Sequence, residues 1–302
     1  MDALDRYEPV IEEFDAFREA CARSLPSVVR VNGIKADAER ASDALEAEGV
    51  RVRRREWNDA VIELDARKPG NTWAYVHGWI HGQEEVSAVP AAVLDPEPGD
   101  AVWDACAAPG SKTTQLADLL GDEGLVVAND DNLGRLAALR SNAERLGATC
   151  VAVTNEDARR FTLDGFGIDA FDAVLAGVPC TCEGTIRKNA DALDGAGAEA
   201  SRKIGRLQAD ILRRAVALTR PGGTVVYSTC TFAPEENEAV VDAVLAAGGV
   251  ELRAFDVGLV AAEGLTEWAG ESFDDSLSKA KRFYPHQNDT GGFFCAKFEV
   301  TA

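Results

Sequence analysis

The sequence predicts an α/β fold: an open, mostly parallel sheet covered on both faces, preceded by a small α+β region. Three observations predict it. From residue 100 onward, short apolar runs alternate with segments of helical periodicity, the pattern of parallel strands joined by helical crossovers. Before residue 70 the strand and helix patterns are short and mixed, and Lys68-Pro69-Gly70 leads out of them as a turn-rich boundary. Near the end, GGFFCAKFEV at 291–300 alternates as a last strand after a loop, expected to join antiparallel at an edge. The expected division is therefore 1–70 and 71–302.

The elements follow in order. Tyr7, Val10, Ile11, Phe14 and Phe17 recur at spacings of three and four, so the first 26 residues read as helical until Pro26. SVVRVN at 27–32 alternates as a strand, and ADAERASDALEAEG at 36–49 reads as a helix closed by Gly49. VRVRRREW at 50–57 and AVIELDA at 60–66 add two short strands. In the larger part, strands are expected over 101–105, 125–129, 150–154, 171–175 and 224–228. Helices are expected over 112–120, 133–146, 201–219 and 235–247, with Gly147 closing the second. The Ala/Gly-rich stretch 191–200 reads as a mobile loop.

A chain of 302 residues, 46% hydrophobic, buries one full core with a smaller appendage. No apolar run approaches the roughly 20 residues that cross a bilayer, and the acidic start MDALDRYEPVIEEF is unlike a targeting peptide. A cytoplasmic, membrane-free, monomeric protein is expected. Seven cysteines without scaffold spacing point to free thiols. The formal charge is −20, and only eight of the 31 basic residues are lysine, a solvation signature expected of a high-salt cytoplasm. At ordinary salt such a charge argues against nucleic acid, so local clusters matter more than the total. Arg51, Arg53, Arg54 and Arg55 form one cluster; Arg187, Lys188, Arg202, Lys203 and Arg206 form another, each either a solvated face or a phosphate track.

In an open parallel sheet the ligand sits beyond the carboxyl ends of the strands, over the first strand-to-helix turn. DACAAPGSKT at 104–113 is that turn, with small residues at Ala107, Ala108 and Gly110 and a helix N-terminus at Ser111 and Lys112. Asp130 lies twenty residues beyond Gly110, where an acidic side chain takes ribose hydroxyls, and Asp157 is placed to accept from an adenine amino group; either also serves as a helix or turn cap. A phosphate-binding loop needs adjacent Gly-Lys, which Ser111 interrupts, and the dinucleotide pattern G-x-G-x-x-G is absent. S-adenosylmethionine is the ligand that fits best.

Cys180 in AGVPCTCEG and Cys230 in VYSTCTFAPEENE each follow a strand end on the rim that carries this turn, which suggests covalent catalysis. A free thiol titrates near 8.5, so a neighbouring positive charge is needed, from Lys112 or a sulfonium. Cys21, Cys150 and Cys295 read as core packing. Cys182 forms C-x-C with Cys180 but lacks a second pair, and His77 and His81, at helical spacing, lack an acidic partner, so no metal is expected. His286 reads as a structural or rim residue.

CAAPGSKTTQLADLL, VVANDDNLGRL, VPCTCEGTIRKN, YSTCTFAPEENE and PHQNDTGGFFCAKFE, in this order and with RVN at 30–32, resemble the RsmB/NOP2/Sun family of RNA 5-methylcytosine methyltransferases. The resemblance covers about residues 27–302. It implies a class I methyltransferase sheet behind a small RNA-contacting region, with tRNA or rRNA as substrate, tRNA the more so. It implies that Cys106, Ala107, Ala108, Pro109, Gly110, Ser111, Lys112, Asp130 and Asp157 bind S-adenosylmethionine. Cys230 would attack carbon 6 of cytosine, and Cys180 would promote release after transfer. Family members have Asp-x-Pro-Cys where this chain has Gly177-Val178-Pro179-Cys180, so the alternative is a catalytically impaired RNA-binding or ribosome-assembly relative. Asp172 is five residues earlier, roughly 16 Å along a strand, too far to substitute.

Overall fold

The computed structural model describes residues 1–65 and 68–301; Ala66, expected to end a strand, lies outside them. Parallel strands Ala101–Asp104, Leu125–Asn129, Val151–Thr154, Phe171–Gly177 and Thr219–Thr229 form the centre of the main sheet. The spatial order runs Ala262–Glu263, Lys281–Phe283, Phe293–Val300, Thr219–Thr229, Phe171–Gly177, Ala101–Asp104, Leu125–Asn129, Val151–Thr154. Successive residues along a strand face opposite sides, and the apolar runs fill both. Trp103, Val174 and Tyr227 pack with helix Ala198–Leu218 on one side, while Val102, Leu175 and Val226 pack with Val89–Leu94 and Ser111–Leu119 on the other.

The last strand pairs antiparallel with Thr219–Thr229, as expected, but it is not an edge. Lys281–Phe283 pairs with its first half and Val250–Arg253 with its second. The reason is composition: Phe293, Phe294, Cys295, Ala296 and Phe298 are buried on both faces, which an edge strand cannot provide. The expected loop at 191–200 instead holds a 3-10 turn, Ala190–Leu193, and the start of the long helix at Ala198.

The N-terminal antiparallel sheet runs Val52–Arg55, Asn58–Leu64, Ser27–Val31, Ile80–Gly82. Its fourth strand lies beyond the expected boundary at residue 70; three residues carry too weak a local signal to be seen in sequence. Arg30, 2% exposed, binds Gln83 Oε1 at 2.9 Å and Asp118 Oδ2 at 2.7 Å. Asn32 donates to the carbonyls of Gly78 at 2.8 Å and Leu146 at 2.7 Å. Thus the RVN segment fastens this sheet to the helices of the larger one. Gly78 permits the approach, since a Cβ there would stand 2.1 Å from the Arg145 carbonyl. Residues Asp2–Val10, a 3-10 helix, and helix Phe14–Cys21 do not join this sheet: Tyr7 and Phe17 pack against Phe232, just beyond Cys230.

Candidate active site

Strand Ala101–Asp104 hands over to helix Ser111–Leu119 through the loop 105–110. Gly110 has φ 103°, and a Cβ there would come within 2.7 Å of Leu139 Cδ1, so only glycine lets the loop lie against the next helix. Asp130, buried at 2% exposure, braces this loop: its carboxylate accepts from Ala108 N at 3.1 Å and Asn132 N at 3.1 Å and pairs with Arg135 at 3.2 Å. Asp157 accepts from Arg159 N at 3.0 Å and pairs with the Arg159 guanidinium at 2.5 Å. Both aspartates therefore do cap, and both also line a cavity of about 530 Å³ floored by Ile204, Leu207 and Ile211. A second cleft of about 540 Å³ holds Asp104, Ser111, Lys112, Gly177, Cys180, Cys182 and Cys230. Cys106, Arg135 and Pro179 line both.

Gly177 and Ser228 are paired in register on adjacent parallel strands, so the chain leaves both strands at the same level. Val178 N donates to Ser228 O at 3.2 Å and Gly184 N to Cys230 O at 2.9 Å. Thr181 and Thr231 hydroxyls meet at 2.8 Å, and Glu236 accepts from Thr181 N at 3.0 Å and Thr181 Oγ1 at 2.6 Å. Glu183 accepts from Tyr7 Oη at 2.6 Å and Thr231 Oγ1 at 3.1 Å. This stitching brings Cys180 Sγ to 3.4 Å from Cys230 Sγ. Sequence reasoning missed Tyr7, Glu183 and Glu236. The acidic run Glu235 to Glu238 looks like a solvated helix start, yet Glu236 and Glu238 are fully buried, the latter paired with Arg282.

Cys182 joins the pair: its sulfur is 3.8 Å from Cys180 Sγ, and all three sulfurs lie within 4.8 Å of one another. C-x-C alone did not reveal this, because the third thiol comes from a strand end fifty residues away. The three thiols titrate as a set. Hydrogen bonds within the trio pull Cys182 below an ordinary thiol. Hydrogen bonds to Cys182 and Cys230, with burial, push Cys180 up. At Cys230 the bond from Cys180 favours the thiolate, but the bond to Cys182 and burial outweigh it and push the thiol up to about 12, against the pull of Lys112. Lys112, one of the two expected sources of positive charge, pulls Cys230 toward the thiolate, but burial and the neighbouring thiols outweigh it. Burial raises Asp104 to about 6, opposed by its bond from Thr113 Oγ1 at 2.7 Å and by Lys112.

Other expected residues lie elsewhere. His81 on strand Ile80–Gly82 binds Ser111 Oγ at 2.9 Å and Arg145 at 2.9 Å, while His77 stacks between Trp73 and Trp79, so the two share no helix and no metal geometry. His286 packs on Phe17 and Tyr284. Arg187 is buried and donates to the carbonyls of Arg23, Ser24 and Thr290, a structural clamp rather than a phosphate contact. Arg51, Arg53 and Arg55 pair with Asp65 and Glu63. Asp172, at the far end of its strand, binds Ala101 N at 2.9 Å and Arg220 at 2.7 Å. Cys21 and Cys295 are buried and Cys150 is half-buried, all in core packing.

Residues 91–299 match the family model of the 16S rRNA methyltransferase RsmB/F. The chain is 38% identical over 231 residues to the tRNA (cytosine(49)-C(5))-methyltransferase of Pyrococcus abyssi, covering 76% of this chain and 72% of that one. It is 35% identical over 305 residues to the ribosomal RNA small subunit methyltransferase F of Vibrio parahaemolyticus, covering 98% of this chain but only 62% of the relative. The chain spans 51% of the corresponding Vibrio campbellii protein. Among solved structures, a methyltransferase homolog protein from Pyrococcus horikoshii superposes with a TM-score of 0.87 at 31% identity, covering 99% of this chain and 98% of that one. The NSun6 structure from Pyrococcus horikoshii, at 22% identity and a TM-score of 0.84 with 99% and 97% covered, shares the fold. Since the family match runs through the cofactor turn and both cysteine loops, this chain belongs to the RsmB/NOP2/Sun family of S-adenosylmethionine-dependent RNA 5-methylcytosine methyltransferases.

Proposed function

We propose that the chain is an RNA cytosine-5 methyltransferase working through a covalent bond between Cys230 and carbon 6 of the target base. The observation that carries this reading is the meeting of two cysteine sulfurs, 3.4 Å apart, in a cleft that also holds Lys112. The residues fit the cofactor: the neighbouring cavity offers the carboxylates of Asp130 and Asp157 for polar groups and an apolar floor for a flat ring. Cys106, Ala107, Ala108, Pro109, Ser111 and Lys112 line the cleft that adjoins it. When bound, S-adenosylmethionine supplies the methyl group as an electrophilic sulfonium.

Cys230 gives up its proton to water in the cleft, and the positive charge of Lys112 favours the thiolate. The thiolate adds to carbon 6, the 5,6 double-bond pair moves to carbon 5, and carbon 5 becomes able to take the methyl group. Cys180 then promotes loss of the carbon 5 proton; that pair restores the double bond and expels Cys230 as a thiolate. The target base must leave any stack to reach Cys230, so a loop, junction or opened site is the substrate. We favour tRNA, because the relative named for tRNA matches at 38% identity over 231 residues, against 35% for the two Vibrio ribosomal relatives. The region up to residue 70 is assigned to RNA contact, and the chain to action as a monomer.

Replacing Cys180 with alanine tests the mechanism. Incubated with S-adenosylmethionine and tRNA transcripts, Cys180→Ala should accumulate a denaturation-resistant protein–RNA adduct, and Cys230→Ala should give none and no 5-methylcytosine. The second reading, an impaired RNA-binding relative, is favoured by one observation, the absence of a carboxylate at Gly177. It predicts RNA binding without transfer or adduct.

A further inference from the structure

The thiol cluster at the cleft has more in it than the proposed reaction uses. Cys182 has no part in the two-cysteine mechanism, and it sits at φ 62°, a left-handed backbone that side chains other than glycine rarely adopt. Its sulfur is nevertheless turned toward the other two: it lies 3.8 Å from Cys180 Sγ, which is itself 3.4 Å from Cys230 Sγ, and no pair in the trio exceeds 4.8 Å. A tetrahedral zinc ion bound at ~2.3 Å by three thiolates needs sulfurs roughly 3.8 Å apart. The trio therefore stands near that triangle already. Two of the three, Cys180 and Cys182, ride on one short loop after the strand Phe171–Gly177.

From this geometry we infer that Cys180, Cys182 and Cys230 form a binding site for a thiophilic d10 cation, zinc in the first instance, with the fourth position left to water from the cleft. Loading releases the thiol protons and leaves three thiolates on a divalent ion, one net negative charge. Lys112 and Arg135, which line the same cleft, face that charge. Soft sulfur donors select zinc and cadmium over magnesium or calcium, so the site ignores the hard divalent ions that RNA requires. Metal capture stands on the sulfur geometry alone. Its consequence rests on the proposed function: a loaded site holds Cys230 and Cys180 together, so zinc reversibly silences methyl transfer.

The test uses the full chain, stripped with chelator and reduced, then titrated with zinc against a competing chromogenic chelator and examined by native mass spectrometry. One zinc per chain is expected, and cadmium should give ultraviolet thiolate-to-metal absorption of the intensity of three thiolates. Cys182→Gly suits the left-handed backbone, and Cys182→Ser keeps a side chain of similar size. Both should weaken zinc by more than the ~10–100-fold that loss of an outer-sphere partner costs. Failure of the parent to bind zinc, or equal affinity in both variants, overturns the site. In transfer assays zinc should inhibit the parent, with recovery on chelator addition, and the ratio of rates with and without zinc should approach one in Cys182→Gly. If the parent binds one zinc yet transfers no methyl group even when stripped, the site stands and the functional reading falls.

Discussion

Gly177→Asp is the substitution that bears most directly on whether this chain is a full enzyme. A Cβ built at Gly177 meets Ser228 Oγ at 3.7 Å, Lys112 Cδ at 3.8 Å and Lys112 Cε at 3.9 Å, ordinary contacts that displace nothing. Ser228 Oγ is buried and has no hydrogen-bond partner among the described residues. A carboxylate one carbon beyond that Cβ reaches both the hydroxyl and the Lys112 side chain. Opposite charges about 4 Å apart attract by about 4 kcal/mol at an effective dielectric of 20, which offsets the desolvation of an aspartate at a strand end. Folding stability should therefore change by less than about 1 kcal/mol, the more so because glycine within a strand itself costs about 0.5–1 kcal/mol. For transfer, a positioned acid, base or orienting carboxylate contributes about 10²–10⁴ in rate. The assay is single-turnover transfer of labelled methyl to a tRNA transcript in molar potassium chloride, with Gly177→Asn as the uncharged control of equal size. A rise within that range for aspartate and not for asparagine is expected. An unchanged or lower rate, with cofactor binding intact, would refute the argument and direct attention to Asp104, the buried carboxyl already in the cleft.

His81 is held down to about 3 by burial and by the Arg30 and Arg145 guanidiniums. Its unfolded value is near 6.5, so between those values the unfolded chain binds the extra proton and stability falls on acidification; pH 7 to pH 5 should cost about 2 kcal/mol, a loss that His81→Gln removes in urea titrations at both pH values. Arg282→Met leaves Glu238 buried and unpaired and should cost about 3–5 kcal/mol in urea unfolding, while the double variant with Glu238→Leu recovers most of it. With a charge of −20, thermal stability should rise as potassium chloride goes from 0.1 to 1 M, where the Debye length shortens from about 10 Å to about 3 Å; a flat or falling midpoint contradicts the high-salt reading.

Much of the fold and the rim of the site was legible in the residues themselves. Strands such as Leu125–Asn129 and helices such as Leu133–Leu146, closed by Gly147, are announced by local period and by stop signals within a few positions. The same local logic placed DACAAPGSKT, Cys180 and Cys230 at strand ends on one rim, since parallel strands in one sheet share a carboxyl edge. The tertiary structure alone decided the rest. Whether Cys182 reaches Cys230 depends on the register of Gly177 against Ser228, a pairing between segments fifty residues apart that no window of sequence contains. Burial of Glu183 and Glu236 depends on three segments meeting: Tyr7 from the N-terminus and Thr231 from the Cys230 loop satisfy Glu183, and Thr181 from the Cys180 loop satisfies Glu236. The final strand lies inside the sheet because two short strands cover its outer edge, and their pairing follows only once the chain has closed on itself. Period and composition are local quantities; register, burial of charge and the meeting of three sulfurs are set by distances between parts of the chain that are far apart in sequence.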